Sequence, residues 1–288
     1  MGNFFIPRFK IIKAQNLDDL IKKAIKFIKK RGKYINTRSG SCQQSYGITY
    51  VLLNSRNRIH WLRYPNSIRY LTRELLAYFD GSLNINDGLL EASSFWKKVA
   101  NDKDYIFSNY GYYVFYQKVK DYKSQYDWAL ERLLENPYTR RAMININQVF
   151  HKISDVKDFP CTISLHFFIV ENTLYCSVFA RSSDIYYGLP YDIGFFSFVQ
   201  ELLYQNLKQK DPMQFSNLKL GPTFIKTLFT QIYDFSRDRV LEILNKKKDK
   251  KIIEIMPAID DAELVLNDIY NHSANSQVMK WIYEKCNV

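Results

Sequence analysis

Cys161 stands at the head of an alternating run, Thr162 to Val170, that reads as a strand. Glu171-Asn172 reads as a tight turn, and Leu174 to Ala180 as the returning strand. A hairpin sets its two ends side by side, so the Cys161 thiol and the Arg181 guanidinium share one edge. A cation beside a thiol lowers its pKa and raises the thiolate fraction, the nucleophilic form, and it can also hold an anion. The plain alternative is packing, because most cysteines on strands are buried and inert. A second group with chemistry is Glu74, set on or beside an apolar helical face made by Ile68, Leu71, Leu75, Leu76 and Phe79. A carboxylate there is costly unless it is paired or put to use, and a bond to Arg73 is the ordinary reading. The polar loop 36–41 offers backbone N–H groups and Arg38 to a phosphate. Arg140 and Arg141, adjacent where an apolar strand begins, point to opposite faces if extended.

The elements that must hold these groups follow from periodicity. A helix over 16–31 is capped by Asn16, carries Leu17, Leu20, Ile21, Ala24, Ile25 and Ile28 on one face, and ends at Gly32. A strand follows over 46–54, and a helix over 67–79 is terminated by Gly81. A short amphipathic helix over 126–135 is closed by Asn136-Pro137. Gly188-Leu189-Pro190 reads as a turn, and residues 193–207 as a core helix.

Several of these segments together resemble the thymidylate synthase family. Pro160-Cys161, the R-S-x-D of Arg181, Ser182 and Asp184, and the G-L-P-x-D of Gly188 to Asp192 are similar to the family's active-site segment, with the same interval from Cys161 to Arg181. Residues 73–85 resemble the helix that carries the family's proton-handling Glu, which implies that role for Glu74. Arg38 matches the arginine of a loop that folds over the nucleotide phosphate. Asn136-Pro137 with Thr139-Arg140-Arg141 matches the pair that reaches across a dimer interface to the same phosphate. The resemblance thus implies an α+β, thymidylate synthase-like fold, a mixed β-sheet flanked by helices, in a sheet-to-sheet homodimer. It implies Arg38, Arg140, Arg141, Arg181 and Ser182 at the phosphate. Trp96, Asp184 and Gly188 fall to the folate, Tyr110 lines the pocket, and Gln231 and Tyr233 lie near the base and sugar. The cosubstrate implied is 5,10-methylenetetrahydrofolate, with no metal.

Departures from the synthase pattern point to one branch. W-x-x-V-A at 96–100 followed by S-N-Y-G at 108–111 looks like the phage-type deoxycytidylate hydroxymethylases, as does Thr162 after Cys161. Asp192 stands where methylating synthases have Asn, whose amide pairs with uracil. A carboxyl can accept from the cytosine amine and share a proton with N3, and a mismatched edge leaves buried groups unpaired. The ordinary reading of Asp192 is a cap for the next helix. The implied activity is hydroxymethylation of C5 of a cytosine nucleotide: Cys161 adds to C6, Glu74 moves the C5 proton, and water completes the product. Gln231 replaces the family's sugar-binding His, which favours CMP over dCMP and links the chain to CMP hydroxymethylases of antibiotic and antivitamin pathways. The alternatives are a dCMP hydroxymethylase of phage type, a thymidylate synthase acting on dUMP, and an RNA-binding protein with a decayed site.

Composition is consistent with this. The 288 residues, 47% hydrophobic, can bury a large core. They are expected to form a single domain, 1–288, with the resemblance over 17–235 and residues 252–288 unassigned. The longest apolar runs fall short of the ~18 residues a membrane span needs, and the start of the chain lacks signal-peptide and myristoylation patterns. Cys42, Cys161, Cys176 and Cys286 are dispersed and make no zinc spacing, so reduced thiols in a cytoplasmic protein are expected. The net charge of +12 concentrates on the Lys22–Arg31 helix and the run Lys246–Lys251. Such runs are usually solvated faces, and the 22 Tyr and 20 Phe do not interleave with them as an RNA-binding strand requires. Nucleic acid and membrane are therefore not expected partners.

Overall fold

A computed structural model of the chain describes residues 9–153, 157–246 and 255–287. Most of the Lys246–Lys251 run, and the first eight residues, on which the expected lack of signal and lipidation patterns rests, lie outside the described residues. The chain opens with β1 (Lys10–Ala14), α1 (Leu17–Arg31), β2 (Lys33–Thr37) and β3 (Gly40–Leu52). Next come α2 (Asn66–Asp80), α3 (Leu89–Ala92), α4 (Phe95–Val99), α5 (Gln125–Glu135) and β4 (Met143–Asn145). Then follow β5 (Thr162–Val170), β6 (Thr173–Asp184), α6 (Leu189–Lys210), β7 (Lys219–Tyr233), α7 (Arg237–Asn245), α8 (Ala262–Asn271) and α9 (Gln277–Lys285). Seven strands form one sheet in the order β1-β3-β7-β6-β5-β4, with β2 paired to β3. The sheet is mixed: β1 with β3 and β6 with β7 are parallel, and the other pairs are antiparallel.

Local chemistry accounts for the main elements. Asn16 caps α1 by accepting from the Asp19 N–H at 2.9 Å, acids fill its first turn and Lys29, Lys30 and Arg31 its last, matching the helix dipole. Leu17, Leu20, Ile21, Ala24, Ile25 and Ile28 are all buried against the sheet. The β5–β6 hairpin turns on Glu171 and Asn172, both left-handed (φ 48° and 54°), a geometry that follows the natural twist of the strands. The central helix is α6, apolar nearly all round and buried along most of its length. It crosses α2 closely because Gly194 has no side chain: a Cβ there would fall 2.6 Å from Leu71 Cδ1. A second close approach, Gly111 against the Tyr78 carbonyl, lets residues 108–111 run along the end of α2. Behind α6, Glu201 pairs with Arg56 (2.6 Å) and Arg58, and accepts from the Ile259 N–H.

Three expectations are revised. The polar loop at 36–41 is only two residues long: Thr37 pairs with Gly40, leaving Arg38 and Ser39 as the turn of a β-hairpin, and β3 starts six residues before 46. Leu189 and Pro190 are not a turn but the first residues of α6, where proline needs no N–H partner. Residues 262–285, unassigned from sequence, form α8 and α9 and pack on α2 and α6. Among the described residues, Ile163, Phe179 and Leu228 are exposed on the sheet, with Lys226 and His166 against the Phe179 ring and Phe168 stacked on Tyr175 at 5.2 Å.

Candidate active site

The hairpin brings Cys161 and Arg181 together as the alternation required. The Arg181 N–H donates to the Cys161 carbonyl at 2.8 Å. The Arg181 guanidinium donates to the carbonyls of Phe159 (2.6 Å) and Pro160 (3.2 Å) and lies over the Phe159 ring. Arg38 reaches the same segment from the β2–β3 turn, donating to the Lys157 carbonyl at 2.8 Å. Two guanidiniums therefore grip residues 157–160, just before the thiol. Asp158 fixes this segment from the other side: its carboxylate accepts from the N–H groups of Phe107 and Ser108 and from the Ser108 hydroxyl at 2.6–2.8 Å.

The thiol itself corrects an expectation. A cation beside Cys161 was to lower its pKa; instead burial pushes it up to about 11. Arg181 pulls it down, but Asp192, Asp158 and Asp184 oppose that pull. In the free protein Cys161 is held as a thiol.

Two more carboxyls surround it. Asp192 lies in the first turn of α6, its N–H bonded to the carbonyl of Gly188, which caps the helix. It is therefore not a capping side chain. Burial raises its pKa to about 7, and the Ser183 hydroxyl, 3.5 Å away, is the contact that opposes this. Glu74 faces it from α2. The Tyr70 hydroxyl donates to Glu74 Oε1 at 2.8 Å, whereas Arg73 turns away to the carbonyls of Cys286 and Glu91. Burial raises Glu74 to about 8; Tyr70 and Tyr78 lower it, and the negative charge of Asp192 raises it further. Tyr110 completes the cluster, stacked on Phe196 at 5.6 Å, beside Tyr78 and Thr162, with Asp192 and Cys161 both raising its pKa.

The remaining sequence-derived residues sit around this cluster or apart from it. Asp184 Oδ1 accepts from the N–H groups of Tyr186 and Tyr187 at 2.6 and 2.7 Å, and burial pushes its pKa to about 6. Ser182 donates to Gln231 Oε1 at 2.9 Å, and Gln231 Nε2 donates to Gln44 Oε1 at 2.8 Å, so these side chains hold one another. Tyr233 lies at the end of β7, against Thr37 and Ser39 of the β2–β3 hairpin. Trp96 on α4 is buried, and its indole N–H has no partner among the described residues. Arg140 and Arg141 are exposed on the loop between α5 and β4. Sequence reasoning missed Tyr70, Asp158, Ser183 and Gln44. Only Tyr70 left a signal, one helical turn before Glu74. Among the described residues there is no cluster of His, Cys, Asp and Glu able to hold a metal, and no helix is long and apolar enough to cross a membrane.

A family model described as thymidylate synthase matches residues 21–273, reaching well past the 235 at which the motifs end. The deoxycytidylate 5-hydroxymethyltransferase of Enterobacteria phage T6 is 31% identical over 147 residues, 50% of this chain and 58% of the relative. The phage T4 protein of the same name is 30% identical over 146 residues, again 58% of its length. The thymidylate synthase of Buchnera aphidicola subsp. Baizongia pistaciae is 28% identical over 144 residues, 53% of its length. The chain thus spans little more than half the length of the curated relatives it matches.

Proposed function

The chain belongs to the thymidylate synthase family, and from that premise we propose that it hydroxymethylates C5 of a cytosine nucleotide, with CMP favoured. The observation that carries this reading is Asp192: a buried carboxyl close to Cys161 and Tyr110, whose pKa is raised to about 7. Such a group exchanges its proton near neutrality. It can accept from the exocyclic amine and donate to N3 as negative charge develops on the ring.

In the proposed reaction the Cys161 sulfur bonds to C6, which makes C5 nucleophilic. Cys161 starts as a thiol, so its proton must leave as the nucleotide binds. Arg181 is the adjacent cation that favours the thiolate. C5 would bond to the one-carbon unit; Glu74 then takes the C5 proton, and the electron pair of that C–H bond forms the double bond to the new carbon as its bond to the folate nitrogen breaks and tetrahydrofolate leaves. Methylenetetrahydrofolate supplies the one-carbon unit. Trp96, Asp184 and Gly188 would hold it, and the unpartnered indole N–H of Trp96 fits a polar ligand there. Water adds to the new carbon, and the bond from Cys161 to C6 breaks to release product and free sulfur.

Arg38 and Arg181, already converging on residues 157–160, would bind the phosphate. We assign the sheet face that exposes Ile163, Phe179 and Leu228 to a second copy of the chain, because large apolar side chains gathered on a strand face gain by being buried. Arg140 and Arg141 would then reach the partner's phosphate. A second reading, dCMP as substrate, is favoured by the phage relatives, whose names specify deoxycytidylate. The test is incubation with methylenetetrahydrofolate and CMP, dCMP or dUMP, with tritium release from C5 and product mass as readouts. A product heavier by one CH2O from a cytosine nucleotide is expected. Turnover of dUMP alone, with dihydrofolate formed, would make it a thymidylate synthase instead.

A further inference from the structure

Tyr70 and Glu74 lie one turn apart on α2, joined by the 2.8 Å bond from phenol to Oε1. The Tyr70 ring also packs on Tyr191 of α6, with centroids 4.3 Å apart. Tyr191 directly precedes Asp192, and its hydroxyl accepts from Arg63 at 3.1 Å. One phenol therefore touches the carboxyl of α2 and the neighbour of the carboxyl of α6.

We propose that Tyr70 is the positioning residue of Glu74: it fixes the carboxyl against α6 and gives it the proton-donating contact that favours its ionised form. The functional side of this rests on the reading of Glu74 as the proton carrier at the pyrimidine. A phenol donates more strongly to a carboxylate than to the neutral acid, so the contact favours the state that can take the C5 proton. Tyr70 itself stays protonated, because burial and the neighbouring carboxylates push its own ionisation far up. The groups facing Glu74 are Tyr70 and Tyr78 from α2, and Tyr191 and Asp192 from α6. Of these, Asp192 opposes ionisation and the phenols of Tyr70 and Tyr78 favour it. During the step the proton passes from C5 to Glu74, and Tyr70 keeps its own.

The test compares wild type, Tyr70→Phe, and a protein with 3-fluorotyrosine at position 70, a more acidic phenol and stronger donor. Two readouts are taken: the titration of the Glu74 carboxyl by carbon-13 NMR, assigned with Glu74→Gln, and the pH profile of C5 tritium release. Tyr70→Phe is expected to move the Glu74 titration and the rising limb of the profile to higher pH. At neutral pH kcat falls about tenfold for each unit moved, with KM nearly unchanged. The fluorinated residue is expected to move both the other way, and it decides the matter alone if Tyr70→Phe does not fold. A Glu74 titration that stays put in both variants overturns the proposal. A titration that moves while wild type turns over no pyrimidine nucleotide overturns the functional reading and leaves the Tyr70–Glu74 link standing.

Discussion

Asp192→Asn separates the roles of the two raised carboxyls. To donate to N3 of cytosine, Asp192 must carry a proton. With a pKa of about 7, its protonated fraction falls about tenfold per pH unit above that value. Glu74 must be ionised, and its ionised fraction rises toward about 8. Wild type should therefore give a bell-shaped profile with its maximum between these values. The amide of the variant cannot ionise, so the falling limb above about 8 should vanish. The same change removes the negative charge that raises Glu74, so the rising limb should move to lower pH. The base preference should shift as well. An ionised carboxylate opposes O4 of uracil, acceptor against acceptor, whereas an amide can donate to O4 and accept from N3–H. Each buried group left unpaired costs about 1–3 kcal/mol. Relieving two of them is worth roughly 2–6 kcal/mol, on the order of 30-fold to 25,000-fold in kcat/KM for dUMP. The assay is kcat/KM for CMP, dCMP and dUMP across roughly pH 6 to 10. A variant that keeps the falling limb, or gains nothing on dUMP, refutes the assignment of Asp192 to the base.

Glu74→Gln should abolish C5 tritium release yet stabilise the fold at alkaline pH. The folded protein holds a proton that the unfolded chain has released, so wild-type stability should fall as pH rises from the ordinary carboxylate range toward about 8, and melting curves of the variant should lack that slope. Cys161→Ala should lose all turnover while calorimetry still records nucleotide binding; residual turnover would count against the covalent step. Gly194→Ala places a methyl 2.6 Å from Leu71 Cδ1 and should cost about 1–3 kcal/mol with a loss of kcat, both partly recovered by adding Leu71→Val. If two copies share their sites, mixing Cys161→Ala with Arg140→Ala/Arg141→Ala should restore turnover to about one quarter of wild type, because half the dimers would hold one intact site. No recovery on mixing would place the arginines elsewhere.

Most of the elements, and the residue types that could do chemistry, were legible in the residues alone. Alternation over 162–180 with Glu171-Asn172 between defines a hairpin whatever surrounds it, so Cys161 and Arg181 had to meet. The apolar stripes of α1 and α2 were legible because helical periodicity is a local property. Nothing in the residue pattern signals that the thiol pKa rises, since burial depends on everything that packs over Cys161. The residue pattern could not place Asp158, Ser183 or Gln44, whose contacts span 50, 9 and 187 residues and depend on how the segments pack. Nor could it pair Glu74 with Asp192: that depends on α6 crossing α2 at a glycine, which is a matter of packing. Charge and nucleophile were written in residue types, but the proton affinities that make them useful arise only when separate segments exclude water from one another.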